Sequence, residues 1–177
     1  MGDGRGAKGF PLLTRLVAPL RQRTGIRLLS QCAAPTSNDQ DFERSAAVLR
    51  EASPDPVTLA EGKLSRRDYA ELLAAMDIVL VPYSAPGYKR STSGIFAEAL
   101  AAGKPVVVPS DTWMAAELGR GHGAGEVYPR GRPEEFETAC LRAAEGFETL
   151  KARAVERAAA YRTRHSATTL VAQLLAS

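Results

Sequence analysis

The stretch DIVLVPYSAPGYKRSTSGIFAEALAAGKPVVVP, from Asp77 to Pro109, decides the fold. Ile78 to Val81 is a continuous apolar run, the pattern of a strand buried on both faces. Pro82 to Ser91 carries Pro82, Pro86 and Gly87 and reads as a loop. Thr92 or Ser93 can cap a helix running to about Ala102, and Gly103 suits its stop. Pro105 to Val108 is a second apolar run rich in β-branched residues. Two buried strands joined by one helix make a parallel crossover unit.

The chemistry of this stretch gathers at the helix start. Lys89, Arg90, Ser91, Thr92, Ser93 and Gly94 place two cations, three hydroxyls and a bare backbone where helix N–H groups point outward. Such a terminus attracts anions through free donors and partial positive charge. Gly94 lets a ligand approach the backbone. Glu98 lies one turn further on, where a carboxylate can accept hydrogen bonds from sugar hydroxyls beyond a phosphate. The plainer reading is a Ser/Thr cap beside solvated Lys89 and Arg90.

The segment STSGIFAEALAAGKPVVVP resembles the nucleotide-binding segment of GT-B glycosyltransferases, in the retaining group often called family 4. The resemblance implies that the turn and helix start bind the donor diphosphate and that Glu98 binds the nucleotide ribose. It marks Arg90, Ser93, Gly94, Ile95 and Glu98 as donor-binding positions. The family usually carries another Glu eight residues before the ribose-binding one, against the donor sugar; here that residue is Arg90. A different donor-binding loop that uses Tyr83 and Tyr88 is the alternative.

The front of the chain, MGDGRGAKGFPLL, also resembles this family, which has a Gly-Arg turn and then Lys-Gly-Phe opening a helix. Arg5 and Lys8 match the two cations that clamp the donor diphosphate and stabilise it as it leaves. Charge neutralisation by Arg and Lys is what a bound diphosphate requires. Gly2, Gly4 and Ala7 loosely fit a dinucleotide fingerprint, but no strand precedes them. The Walker pattern fails because no Ser or Thr follows Lys8.

Bulk properties agree with one globular domain. The chain has 177 residues, 45% hydrophobic and 24% charged, with a net charge of +3. That charge is too small to argue for nucleic acid and suits a polyanionic small ligand. Cys32 and Cys140 lie far apart in sequence with no His nearby, so no metal site is expected, and a reducing, cytoplasmic setting is. No apolar run reaches the roughly 18 residues of a membrane span.

In chain order, Phe10 to Arg23 reads as an amphipathic helix that Pro19 disturbs and can end. A strand follows over Ile26 to Gln31. Asn38 or Asp39 can cap a helix through Glu51. Val57 to Ala60 is a short strand. Ser65 and Asp68 make a capping-box-like start for a helix to about Ala75. By resemblance, Glu61 to Leu64 holds the nucleotide base. Ser110 or Asp111 can cap a short helix from Thr112 to Leu118, and Glu126 to Tyr128 forms a last strand. Between them His122 sits in a Gly-rich loop and reads as exposed polar surface rather than chemistry; Glu117 loosely echoes a family acidic position. Pro133 onward is helical. The final Arg-rich, then apolar, segment fits a helix packing back on the domain better than an anionic membrane surface, with Leu170, Val171, Leu174 and Leu175 turned to a partner domain by the resemblance.

The expected architecture is α/β: a Rossmann-like doubly wound parallel sheet with helices on both faces, the C-terminal half of a GT-B fold, its first strand apparently missing. The whole chain, 1–177, is then one donor-nucleotide-binding domain and a fragment of a two-domain enzyme, whose N-terminal acceptor domain or a partner chain lies elsewhere. The expected ligand is a UDP- or GDP-sugar, with no other cofactor and no metal. Two other readings remain: a non-catalytic nucleotide-binding or interaction module of the same fold, and a dinucleotide-dependent oxidoreductase domain. The last is weakened by the absent strand before the glycines and by the lack of a suitable acidic residue at a second strand end.

Overall fold

The structure is a computed structural model that describes residues 8–35, 39–83, 86–169 and Leu175. Its strands are β1 (Leu28–Cys32), β2 (Val57–Glu61), β3 (Val79–Leu80), β4 (Val106–Pro109) and β5 (Gly125–Tyr128). Every pairing is parallel: β1 with β2, and β3 with β4 with β5. The helices are α1 (Val17–Arg21), α2 (Gln40–Glu51), α3 (Arg66–Ala75), α4 (Gly94–Ala101), α5 (Trp113–Gly119), α6 (Pro133–Glu145) and α7 (Phe147–Arg164).

The expected layering is present, and β4 shows why. Its four residues are all buried, and successive side chains leave a strand on opposite faces. Val107 packs with Leu28, Phe42, Val57 and Phe136 on one side. Val106 and Val108 pack with Phe96, Leu100, Met114 and Tyr161 on the other. Helices therefore cover both faces. A strand buried this way must be apolar throughout, as the VVV run is. Gly125 of β5 is fixed by the same crowding, since a Cβ there would lie 2.0 Å from the Val106 carbonyl oxygen.

The two sheets do not pair with each other. Residues of β1 (Leu28, Leu29, Ser30) and of β3 (Val79, Leu80) line a common cavity of about 610 Å³. Phe10, Leu13 and Leu16 wall it too, with Leu141 and Phe147. Among the described residues β1 is the first strand.

The crossover read from the sequence holds in detail. The Ser93 hydroxyl accepts from the Phe96 N–H at 3.3 Å and caps α4. At the other end Gly103 turns to φ 68°. The Lys104 N–H then reaches the Ala99 carbonyl at 2.9 Å and the Gly103 N–H reaches Leu100 at 3.1 Å. This paired closure of a helix end is the reason a glycine stands there.

Three expectations need correction. The Phe10 to Arg23 helix is instead a 3₁₀ helix, Phe10–Leu16, leading into the short α1. Pro19 does not end it; as the third residue of α1 it sits where a helix N–H has no partner anyway. The α5 cap is Thr112, whose hydroxyl accepts from the Ala115 N–H at 3.2 Å, rather than Ser110 or Asp111. Ser110 instead accepts from the Arg130 N–H at 3.1 Å, and Asp111 takes φ 56°, a turn conformation in which helix geometry cannot begin. The helical C-terminal part divides at Gly146 into α6 and α7.

The Arg-rich α7 packs on the domain. Arg157 donates to the Gly123 carbonyl and Arg162 to the Ala101 carbonyl, each at 2.6 Å. No described helix is long and apolar enough to cross a membrane. Leu170, Val171 and Leu174 lie outside the described residues, and Leu175 is exposed.

Candidate functional site

The start of α4 opens beside the carboxyl ends of β3 and β4, where ligands bind in sheets of this class. Ser93 is buried and spent on capping. Gly94 is exposed, and a Cβ built on it would touch nothing within 4 Å. Among the described residues, the space beside Gly94 is therefore open. Lys8, Tyr83 and Ile95 are among the residues that line the cavity between the sheets. Gly9, next to Lys8, packs against the end of β3. It adopts φ 72°, and a Cβ on it would lie 1.9 Å from the Pro82 carbonyl oxygen, just past β3.

Arg90 ends on the turn before α4 and is exposed, after the 3₁₀ turn Pro86–Lys89. The Tyr83 and Tyr88 rings pack against each other with centroids 4.2 Å apart. Arg5 lies outside the described residues. Among the described residues no group of three or more His, Cys, Asp or Glu side chains is placed to hold a metal ion.

Glu98 is exposed, one turn into α4. Its carboxylate accepts a hydrogen bond from the Tyr69 hydroxyl of α3. Sequence reading missed Tyr69, because nothing local links residues 29 apart. The Ser65 cap does set its place: Ser65 accepts from the Asp68 N–H at 3.2 Å and donates to the Asp68 carboxylate at 2.7 Å. Lys104 then holds the far end of α3, donating to the Ala74 carbonyl at 3.0 Å and to that of Met76. In the predicted base-holding loop, Gly62 turns to φ 76° and its carbonyl accepts from the Gln31 amide at 2.9 Å, while Arg50 ties down Glu61 at 2.8 Å.

His122 is not exposed polar surface. Its side chain is 16% exposed and its Nδ1 lies 2.8 Å from the buried Glu117 carboxylate. Arg164 of α7 meets Nε2. A guanidinium only donates, so Nε2 accepts and the ring donates from Nδ1 to Glu117. Arg120 donates to the same carboxylate at 2.7 Å. Burial raises the Glu117 pKa, but the hydrogen bonds from His122 and Arg120 and the Arg120 charge outweigh it and hold the carboxyl below its ordinary value of 4.5. A depressed carboxyl stabilises the fold above its unfolded pKa, and that contribution is lost as pH falls through the folded value. Thermal melts should therefore show Glu117→Gln less stable than wild type by about 1–2 kcal/mol at pH 7, with the difference shrinking as pH drops below 4.5.

With this geometry in view, comparison with known proteins is direct. A family model for glycosyl transferases group 1 matches residues 2–145. The chain belongs to this family. No curated protein sequence matches. Among solved structures, Anabaena Alr3699/HepE in complex with UDP superposes with a TM-score of 0.77 at 20% identity, over 99% of this chain and 47% of that one. The same protein in complex with UDP-glucose gives 0.75. WaaG, a glycosyltransferase involved in lipopolysaccharide biosynthesis, gives 0.68 at 22% identity, over 93% of this chain and 42% of that one. The catalytic domain of the Helicobacter pylori cholesterol-alpha-glucosyltransferase gives 0.66 at 14% identity. At such identities the likeness establishes the fold, that of the GT-B glycosyltransferases. The chain spans about half the length of the Anabaena protein.

Proposed function

We propose that this chain is the donor half of a retaining, hexosyltransferase-type glycosyltransferase, which binds a UDP- or GDP-sugar and moves the sugar to a glycan or lipid acceptor. One observation carries the reading: the Ser93-capped start of α4 is open beside Gly94, Glu98 follows one turn later, and Lys8 lines the same cavity as Ile95 of α4. A diphosphate meets free N–H groups and a cation there, and a ribose meets a carboxylate. In the transfer step the bond from the sugar's anomeric carbon to the diphosphate oxygen breaks, and negative charge grows on the diphosphate. Lys8 and Arg5 stabilise that charge, which lowers the barrier because the interaction strengthens as the bond breaks. Ser93, Gly94 and Ile95 present the helix start, and Arg90 faces the donor from the preceding turn. No metal is needed in this scheme. The acceptor side belongs to a second half of the enzyme, in a longer chain or a partner.

Arg90 favours a second reading, because it stands where the resembling enzymes place a donor-sugar carboxylate. Under it the chain binds nucleotide without transferring sugar.

Titration calorimetry with UDP, GDP and NAD tests the binding claim. One nucleoside diphosphate should bind, and Lys8→Ala should weaken it by about tenfold or more, the cost of one charge-assisted hydrogen bond. Binding of NAD alone would contradict the reading in favour of a dinucleotide enzyme. Absence of diphosphate binding at millimolar ligand would contradict it outright.

A further inference from the structure

We propose that Tyr69 is a positioning residue that aims Glu98 at the nucleotide ribose and so sets the site's selectivity for ribose hydroxyls; this rests on the donor-site reading given above. Glu98 is an exposed glutamate on a helix, and alone it would sample many rotamers. A carboxylate spread over rotamers holds a diol poorly, because ordering it at binding costs side-chain entropy. Tyr69 removes that freedom in advance. Its hydroxyl donates to Glu98 Oε2 and leaves Oε1 and the remaining lone pairs for a ligand. Helical side chains lean toward the helix N-terminus, so a fixed Glu98 reaches back toward the open space over Gly94.

The tyrosine is itself held. The Ser65–Asp68 cap sets the start of α3 and Lys104 fixes its end. Burial, then the hydrogen bond and charge of Glu98, push the Tyr69 phenol well above its ordinary pKa of 10.0. It therefore stays a donor across neutral pH. α3 contributes no fully buried residue to the core, so the link to Glu98 is also one of its ties to the domain. The positioning role and a plain stapling role predict different results.

The experiment compares UDP and GDP with their 2′,3′-dideoxy forms by calorimetry, on the intact chain and on Tyr69→Phe, Glu98→Gln and the double variant, with melts to confirm folding. Wild type should prefer the natural diphosphate over its dideoxy form by about tenfold. Tyr69→Phe should cut that ratio to about threefold while dideoxy affinity changes less than about twofold. The double variant should be no worse than Glu98→Gln, since Tyr69 acts through Glu98. Equal weakening of both ligands, or an unchanged ratio, would reduce Tyr69 to a staple and overturn the proposal while leaving the donor site intact. Failure of wild type to bind any nucleoside diphosphate would overturn both together.

Discussion

Phe96→Ala is expected to destabilise the fold by about 3–5 kcal/mol, the range for removing a large buried aromatic. Phe96 is fully buried under α4, edge-on to Trp113 with ring centroids 5.5 Å apart. It shares its cluster with Leu100, Val106, Val108 and Met114, all fully or almost fully buried. Truncation leaves a cavity between α4 and β4 that rigid strand neighbours cannot fill. The same N–H that the Ser93 cap receives belongs to Phe96, so loosening this residue loosens the helix start. Loss of nucleotide affinity should accompany the loss of stability. Urea unfolding followed by circular dichroism measures the first effect. A change below about 1 kcal/mol would mean that α4 is not anchored as described.

Glu98→Ala should behave in the opposite way. Glu98 is exposed, so the fold should lose about 0.5–1 kcal/mol or less, from the broken Tyr69 hydrogen bond. Nucleoside diphosphate affinity should fall by about 10- to 100-fold, the weight of hydrogen bonds to a charged acceptor. The pair of variants thus separates two roles of one helix: its buried face holds the domain together, and its exposed face holds the ligand. Melts and calorimetry on the same preparations check this. Unchanged affinity in a folded Glu98→Ala protein would remove the ribose contact from the account.

The sequence was most legible where one local pattern has one physical meaning. The VVV run of β4 can only be buried on both faces, and the Ser93 and Gly103 ends of α4 are capping chemistry that needs no distant partner. The front helix was less legible. Pro11 and Pro19 are compatible with an α-helix start or with a 3₁₀ segment, and packing on α2 and α6 decides the matter. At the candidate site, Ser93, Gly94, Ile95 and Glu98 are singled out together because they lie at the start of one helix, and Lys8 because Lys-Gly-Phe resembles the family's helix opening. Tyr69 was not, because its bond to Glu98 spans 29 residues. His122 was misread for the same reason. A histidine among glycines looks solvated, yet Arg164 reaches it from 42 residues away and Glu117 from within the preceding helix.

The most direct test of the central claim is a crystal structure of the chain with UDP or GDP bound. The account predicts the diphosphate on the free N–H groups at the start of α4, within reach of Lys8, and the ribose hydroxyls on Glu98. A nucleotide seated anywhere that leaves Glu98 still facing only Tyr69 would contradict it.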